Sequence, residues 1–332
     1  MKAAFIRATG PASQIQYGTM SDPVPGETQV LIRTEAVSVN PIDTYIRAGN
    51  VRFDLPNPFV VGCDVCGVVE QCGPGSKRFK VGDRVWGSNQ GLFGRQGTFS
   101  EYCAIDEQWL YPVPKGVSSE LAAAGALVGI TAQLGLFLHA GLTPGEVVFV
   151  NGGTGGVGSA VVQLAHAHGA KVITTAGTEE KASICRQLGA DHVIQYRSEN
   201  IDERFASILA ETGPISVWFE TQRMPTLDRS FSLMARRGRF IFMAGRDSRP
   251  EFPVGPFYVR DLRAIGFAMF NATAEEQRVS ADALNQLLAS GAFQPRISRV
   301  MSLSETAAAH QLQEESTLQG SGALSGKIVL KP

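Results

Sequence analysis

Residues 147–175 read VVFVNGGTGGVGSAVVQLAHAHGAKVITT, and this stretch decides the fold. Val147 to Val150 is a short apolar run of the kind that forms a buried strand. Five glycines follow within Gly152 to Gly158. Val157, Ala160, Val161, Leu164, Ala165 and His168 then recur at the three-and-four spacing of one helix face. Val172 to Thr175 supplies the next strand. Gly153, Gly155 and Gly158 fit G-x-G-x-x-G at a strand-to-helix turn, where missing Cβ atoms let a diphosphate approach backbone amides. The glycine pattern alone is weak and could belong to an ordinary loop. Its flanks, strand before and helix then strand after, make it a dinucleotide site.

Outward from this unit, the centre of the chain alternates strand and helix. Strands are expected at 147–151, 171–175, 191–196, 215–220, 239–244 and 263–269, with helices at 156–168, 178–188, 201–211 and 227–236. That is a doubly wound parallel sheet. The first 120 residues read differently. Lys2 to Arg7, Val30 to Val39, Val65 to Gln71, Arg84 to Trp86 and Phe99 to Ile105 are β-branched or alternating, punctuated by Gly and Pro, as in a compact antiparallel barrel. The Ala-rich segment 118–127 and the segment after it, through His139, read as helices. Helices at 275–290 and 304–315 and a last strand, Lys327 to Leu330, fall outside the six-strand count and are expected to return to the first domain.

Composition narrows the class. The 332 residues suit about two domains, and 44% hydrophobic with 18% charged residues fits a soluble globular protein. A formal charge of −1 offers no bulk attraction to nucleic acid or an anionic membrane. The start, MKAAFIRATG, is no signal peptide, and no apolar run looks long enough to span a bilayer. Five cysteines without framework spacing point to reduced thiols in a cytoplasm.

The motifs Ser38-Val39-Asn40-Pro41-Ile42-Asp43-Thr44-Tyr45-Ile46-Arg47-Ala48-Gly49, Gly62-Cys63-Asp64-Val65-Cys66-Gly67-Val68-Val69, Val81-Gly82-Asp83-Arg84-Val85, Thr175 to Lys181 and Gly326-Lys327-Ile328-Val329-Leu330 carry a resemblance over nearly the whole chain. The sequence resembles the zinc-independent quinone oxidoreductases, the zeta-crystallin-like branch of the medium-chain dehydrogenase/reductase superfamily. The resemblance implies an α/β protein with a GroES-like β-barrel catalytic domain over 1–122, completed by 271–332, and a Rossmann NADPH-binding domain over 123–270. It implies hydride transfer from NADPH to a quinone. An NADPH-dependent reductase of α,β-unsaturated carbonyl compounds, or a non-catalytic NADPH-binding structural or RNA-binding protein, are the alternatives. The basic stripe of a nucleic-acid binder is missing.

By the same resemblance Asn40, Cys63 and Leu127 stand where zinc alcohol dehydrogenases of the superfamily hold their catalytic metal. Zinc needs three protein ligands and an open position, and Asn40 and Leu127 cannot serve, so no metal is expected. Cys63-x-x-Cys66 does not rescue a metal site, because residues three apart on a strand face opposite sides. Asn40 and Tyr45 become the candidate catalytic hydrogen-bond donors to the substrate oxygen. The other reading of Asn40 is a turn residue before Pro41. Asp43 is as well explained by an ion pair with Arg47. Resemblance assigns cofactor contacts to Asn40, Thr131, Thr154, Gly155, Gly156, Val157, Gly177, Lys181, Tyr196, Gly245, Ala268 and Phe270.

An NAD site usually carries an acid after the second strand, about 20 residues on, to hold the ribose. Here Ala176-Gly177-Thr178 are small and uncharged, and Glu179 reads as a first-turn helix acid. Lys181 and Tyr196 match family residues around a 2′-phosphate, which favours NADPH. One departure stands out: Glu220-Thr221-Gln222-Arg223-Met224 replaces the Asp, two small residues and Gly usual after the fourth central strand. Finally, residues 262–270 read as a long unguarded edge strand, from which a homodimer is expected.

Overall fold

The computed structural model describes residues 1–318 and 322–332. Two compact units divide the chain: residues 1–130 with 273–332, and residues 131–272.

The first unit begins with β1 (Lys2–Ile6), β2 (Gln16–Thr19), β3 (Gln29–Val39), α1 (Pro41–Ala48), β4 (Phe59–Val60), β5 (Asp64–Cys72), β6 (Arg84–Gly87), β7 (Tyr102–Asp106) and β8 (Leu110–Pro112). β3 alternates half-buried and buried residues along its first half and is wholly buried at its end, so it can form the spine of a sheet. It pairs antiparallel with β5 and β7, and β5 pairs in turn with β6. α1 starts sharply because Asn40 is its N-cap, Pro41 its first residue and Asp43 accepts from the Asn40 backbone N–H at 2.7 Å. Gly49, with φ of 80°, ends it. The expected strand from Phe99 starts later, at Tyr102, because the Phe99 carbonyl is already taken by the Ala4 N–H at 2.8 Å.

α2 (Ser119–Gln133) continues without a break into a wider π-type turn, Leu134–His139. The two helices expected here are therefore one helical run of 21 residues, with a mean hydropathy of 1.9 over its most apolar window. It is long and apolar enough to cross a bilayer, contrary to the reading of the sequence. Seventy-eight per cent of that window is buried within the protein, so its apolar character is that of a core helix.

In the second unit β9 (Val147–Asn151), α3 (Gly156–Ala167), β10 (Lys171–Ala176), α4 (Glu179–Gln187), β11 (His192–Gln195), α5 (Ile201–Thr212), β12 (Ile215–Glu220), α6 (Leu227–Leu233), β13 (Met234–Phe242), α7 (Val254–Val259) and β14 (Arg263–Gly266) follow in order. The sheet order is β11-β10-β9-β12-β13-β14, and every pairing is parallel. β9 is thus the switch point, flanked by strands whose crossovers run opposite ways. Phe149, Phe205, Trp218, Phe231 and Phe240 pack one core cluster of this unit. α6 ends at Leu233 rather than 236, because Met234 already joins the sheet opposite Ile215. β14 is shorter than expected: it stops at Gly266, and Met269–Asn271 forms a tight turn.

The chain then rejoins the first unit through α8 (Ala274–Ser290), β15 (Ile297–Ser302), α9 (Thr306–Leu318) and β16 (Lys327–Lys331). β16 pairs antiparallel with β3, Ile328 facing Val39, so the last strand lies against the spine of the first sheet.

Candidate active site

In the second unit the glycine turn joins β9 to α3. A Cβ on Gly158 would lie 2.0 Å from the Gly152 carbonyl oxygen, so no larger residue fits. Gly155 is exposed, and a Cβ there would meet only the Gly152 oxygen at 3.6 Å. Gly155 caps the 12-residue α3 without any side-chain hydrogen bond. Tight packing on one side, an open side on the other and uncapped helix amides fit a diphosphate, with Thr154, Gly155, Gly156 and Val157 around it. The turn is braced from beneath. Thr175 Oγ1 accepts from the Gly152 N–H and donates to Asn151 Oδ1, both at 2.9 Å. Asn151 Nδ2 donates to Glu220 at 3.1 Å.

Beyond β10 the structure brings Tyr196 and Arg197 against Gly177, and Lys181 follows four residues along the chain. Lys181 lies in the first turn of α4, where the Thr178 hydroxyl accepts from its backbone N–H. A Cβ on Gly177 would meet the Tyr196 hydroxyl at 2.6 Å and Arg197 Nε at 3.4 Å. The Tyr196 side chain is 47% exposed, and the Arg197 guanidinium lies over its ring at 5.9 Å. Glu179, the acid whose spacing would suit a ribose, accepts from Arg186 and Gln195, each at 2.7 Å. Arg186 holds the Glu179 carboxyl below its usual range. Arg197, which sequence reasoning did not single out, adds a cation beside Gly177; its place directly after Tyr196 was the available signal.

The remaining cofactor candidates of this unit do not join that group. Thr131 is buried. Gly245 sits against the Arg223 backbone, Ala268 caps the turn after β14 and Phe270 lies within it.

The first unit holds a buried polar cluster where β3, β5 and β16 end or begin. Asn40 is fully buried and its carboxamide is committed: Nδ2 donates to Asp64 at 2.7 Å and to the Ser38 carbonyl at 3.2 Å, while Oδ1 accepts from the Lys327 ammonium. In this arrangement Asn40 has no amide hydrogen left for a substrate. Lys327 also donates to the Val39 carbonyl at 2.7 Å. Burial pushes Asp64 up and Lys327 down, while the opposite charge of each works against that displacement in the other. Burial also pushes Asp43 up to about 7, against hydrogen bonding from the Cys63 thiol. The Cys63 thiol is itself raised by burial and by Asp43.

Asp43 does not pair with Arg47, as the sequence suggested. Arg47 instead reaches back to the Gly10 carbonyl and to Glu314 on α9. Tyr45 lies on α1, half-buried. Among the described residues no three His, Cys, Asp or Glu side chains are grouped as a metal site requires. Lys327 was the main residue missed here, although a lysine opening an otherwise apolar terminal strand is the signal that would have found it.

An antiparallel barrel-type unit completed by a C-terminal strand, and a parallel sheet of order 3-2-1-4-5-6 with a glycine turn at its switch point, define a two-unit oxidoreductase of the medium-chain dehydrogenase/reductase class. Residues 26–115 match the alcohol dehydrogenase GroES-like domain family, and residues 156–286 the family described as zinc-binding dehydrogenase. Human quinone oxidoreductase is 34% identical over 308 residues, which cover 93% of this chain and 90% of the human protein. The chain belongs to the quinone oxidoreductase family. Escherichia coli quinone oxidoreductase, solved in complex with NADPH, superposes with a TM-score of 0.86 at 27% identity, with all of both chains covered. A 2-haloacrylate reductase superposes with a TM-score of 0.83 at 29% identity, covering 100% of this chain and 99% of the other.

Proposed function

We propose that this protein is a zinc-independent reductase that uses NADPH to reduce quinones. The observation that carries the cofactor choice is the end of β10: Glu179 is tied to Arg186 and Gln195, while Tyr196 and Arg197 lie beside Gly177 and Lys181 follows in the first turn of α4. A 2′-phosphate would meet cations there, whereas a 2′-hydroxyl would find its usual acid already engaged. When bound, NADPH supplies the hydride, and the protein's task is to orient it and keep water away. Thr154 to Val157 would hold the diphosphate, Gly177, Lys181 and Tyr196 the 2′-phosphate, and Thr131, Gly245, Ala268 and Phe270 the rest of the cofactor.

On the substrate side, Tyr45 is the donor to the oxygen that gains charge. Asn40 acts from behind, as a positioning residue that caps α1 and so fixes the helix carrying Tyr45. Reduction of activated alkenes is the second reading, favoured by the likeness to a 2-haloacrylate reductase. The protein works as a homodimer free in the cytoplasm, without nucleic acid or membrane as partner.

NADPH oxidation followed against a panel of quinones, enones and haloacrylates tests the assignment. Quinones turned over with the highest kcat/KM uphold it. Turnover confined to the alkenes transfers the assignment to the second reading, and no turnover at all defeats both.

A further inference from the structure

The loop after β12, Thr221 to Met224, is wedged between two glycines of the second unit. Gly152, the first glycine of the turn, has φ of 94°, and a Cβ there would lie 2.4 Å from Gln222 Nε2. Gly245 has φ of 80°, and a Cβ there would lie 2.4 Å from the Arg223 carbonyl oxygen. The loop is also anchored from below. Glu220 is buried and accepts from the Gln222 backbone N–H at 2.7 Å and from Asn151 Nδ2 and Trp218 Nε1 at 3.1 Å each. The Thr221 hydroxyl donates to the Asn151 carbonyl. A carboxylate with three donors cannot shift without leaving buried partners unpaired, so the backbone of residue 222 is fixed relative to Asn151, the last residue of β9.

An exposed glutamine ordinarily extends into water. Here the carboxamide of Gln222, itself exposed, lies along the first glycine of the phosphate turn. We infer that Gln222 is a dinucleotide ligand whose Nε2 donates to an oxygen of the bound diphosphate, adding a side-chain donor to the backbone amides of the turn. This rests on the cofactor reading above. It gives the departure at residues 220–224 a purpose: buried Glu220 holds the loop down, and Gln222 uses that footing to reach the ligand. The contact is to the part shared by both nicotinamide dinucleotides, so it acts on affinity and not on the choice between them.

The test is titration of the full-length protein with NADPH and with NADH, for wild type, Gln222→Ala and the isosteric Gln222→Glu. Removing one donor to a charged acceptor should weaken both ligands alike, by about tenfold for Gln222→Ala. Gln222→Glu should weaken them further, since a carboxylate then faces the diphosphate. Melting of the cofactor-free variants should match wild type, because the side chain is exposed. Equal binding by wild type and Gln222→Glu overturns the role of Gln222 while leaving the cofactor reading intact, since a side chain that merely packs on the turn would be indifferent to an isosteric change. A wild type that binds neither dinucleotide overturns both.

Discussion

Lys327 and Asn40, 287 residues apart, meet in a fully buried hydrogen bond between the ammonium and the carboxamide oxygen. Asp64 completes the arrangement by accepting from the same carboxamide at 2.7 Å. A buried lysine is tolerated here because a buried carboxylate stands one side chain away. Lys327→Met should therefore leave Asp64 uncompensated and lower stability by about 3–5 kcal/mol. Adding Asp64→Asn should recover a good part of that loss. Urea unfolding of the two single variants and the double variant checks it; strictly additive losses would show that the two charges do not support one another.

The same ammonium bears on metal content. A cation entering beside Asn40 and Cys63 would face Lys327 at close quarters. Purified protein should contain no stoichiometric zinc by elemental analysis, and added zinc should not raise activity. About one tightly held zinc per chain would contradict this.

NADPH should bind more tightly than NADH, and Lys181→Ala should erode that preference. A charge-assisted contact to a 2′-phosphate contributes on the order of 1.5–3 kcal/mol. Arg197→Ala should act in the same direction, since its guanidinium lies over the Tyr196 ring. Equal affinities of the wild type for the two dinucleotides would return the site to Glu179.

His310 on α9 is fully buried, and neither ring nitrogen has a hydrogen-bond partner among the described residues. Burial, with the charge of Arg47 nearby, depresses its pKa to about 3. The unfolded chain, with an ordinary histidine near 6.5, binds the proton first as pH falls. Stability held above that ordinary value is thus lost on acidification, by about 2 kcal/mol between pH 7 and pH 5. His310→Leu should remove this part of the acid sensitivity at little loss at pH 7. Denaturation midpoints at the two pH values decide; parallel losses in variant and wild type would place the sensitivity elsewhere.

The edge strand β14 is exposed over most of its length, and α7 presents Val254, Tyr258 and Val259 at 63%, 67% and 67% exposure. An apolar surface next to an open strand edge suits a second copy of the chain. Light scattering should give twice the 35.5 kDa mass of one chain, falling to one on Tyr258→Lys combined with Ile265→Lys. A single-chain mass for the wild type would remove the dimer.

Much of this was legible from the sequence because period and punctuation agree. β9, the glycine turn, α3 and β10 follow directly from an apolar run, glycines and a three-and-four stripe. The short α1 was not read, because its helical signal, a capping asparagine followed by proline, is equally a turn signal. α7 was missed because Phe257 is its one core contact, too little for a helical stripe. Local geometry was legible where a single segment builds it, as at the glycine turn, where Gly158 leaves no room for a Cβ against Gly152. It was illegible where partners lie far apart in sequence. Nothing near Asn40 announces that Lys327 will take its oxygen.

The placement of β16 against β3 also sets an order of assembly. A ribosome delivers Lys327 to Lys331 after everything that forms the parallel sheet has emerged, so residues 131–272 can find their contacts while the Val37–Val39 end of β3 still lacks its second neighbour. β3 meanwhile holds β5 and, over Gln29–Arg33, β7, so that only its end, Val37 to Val39, waits for β16. Trimming the final strand would therefore do more than shorten the protein: it would leave the end of β3, next to Asn40, as an open edge.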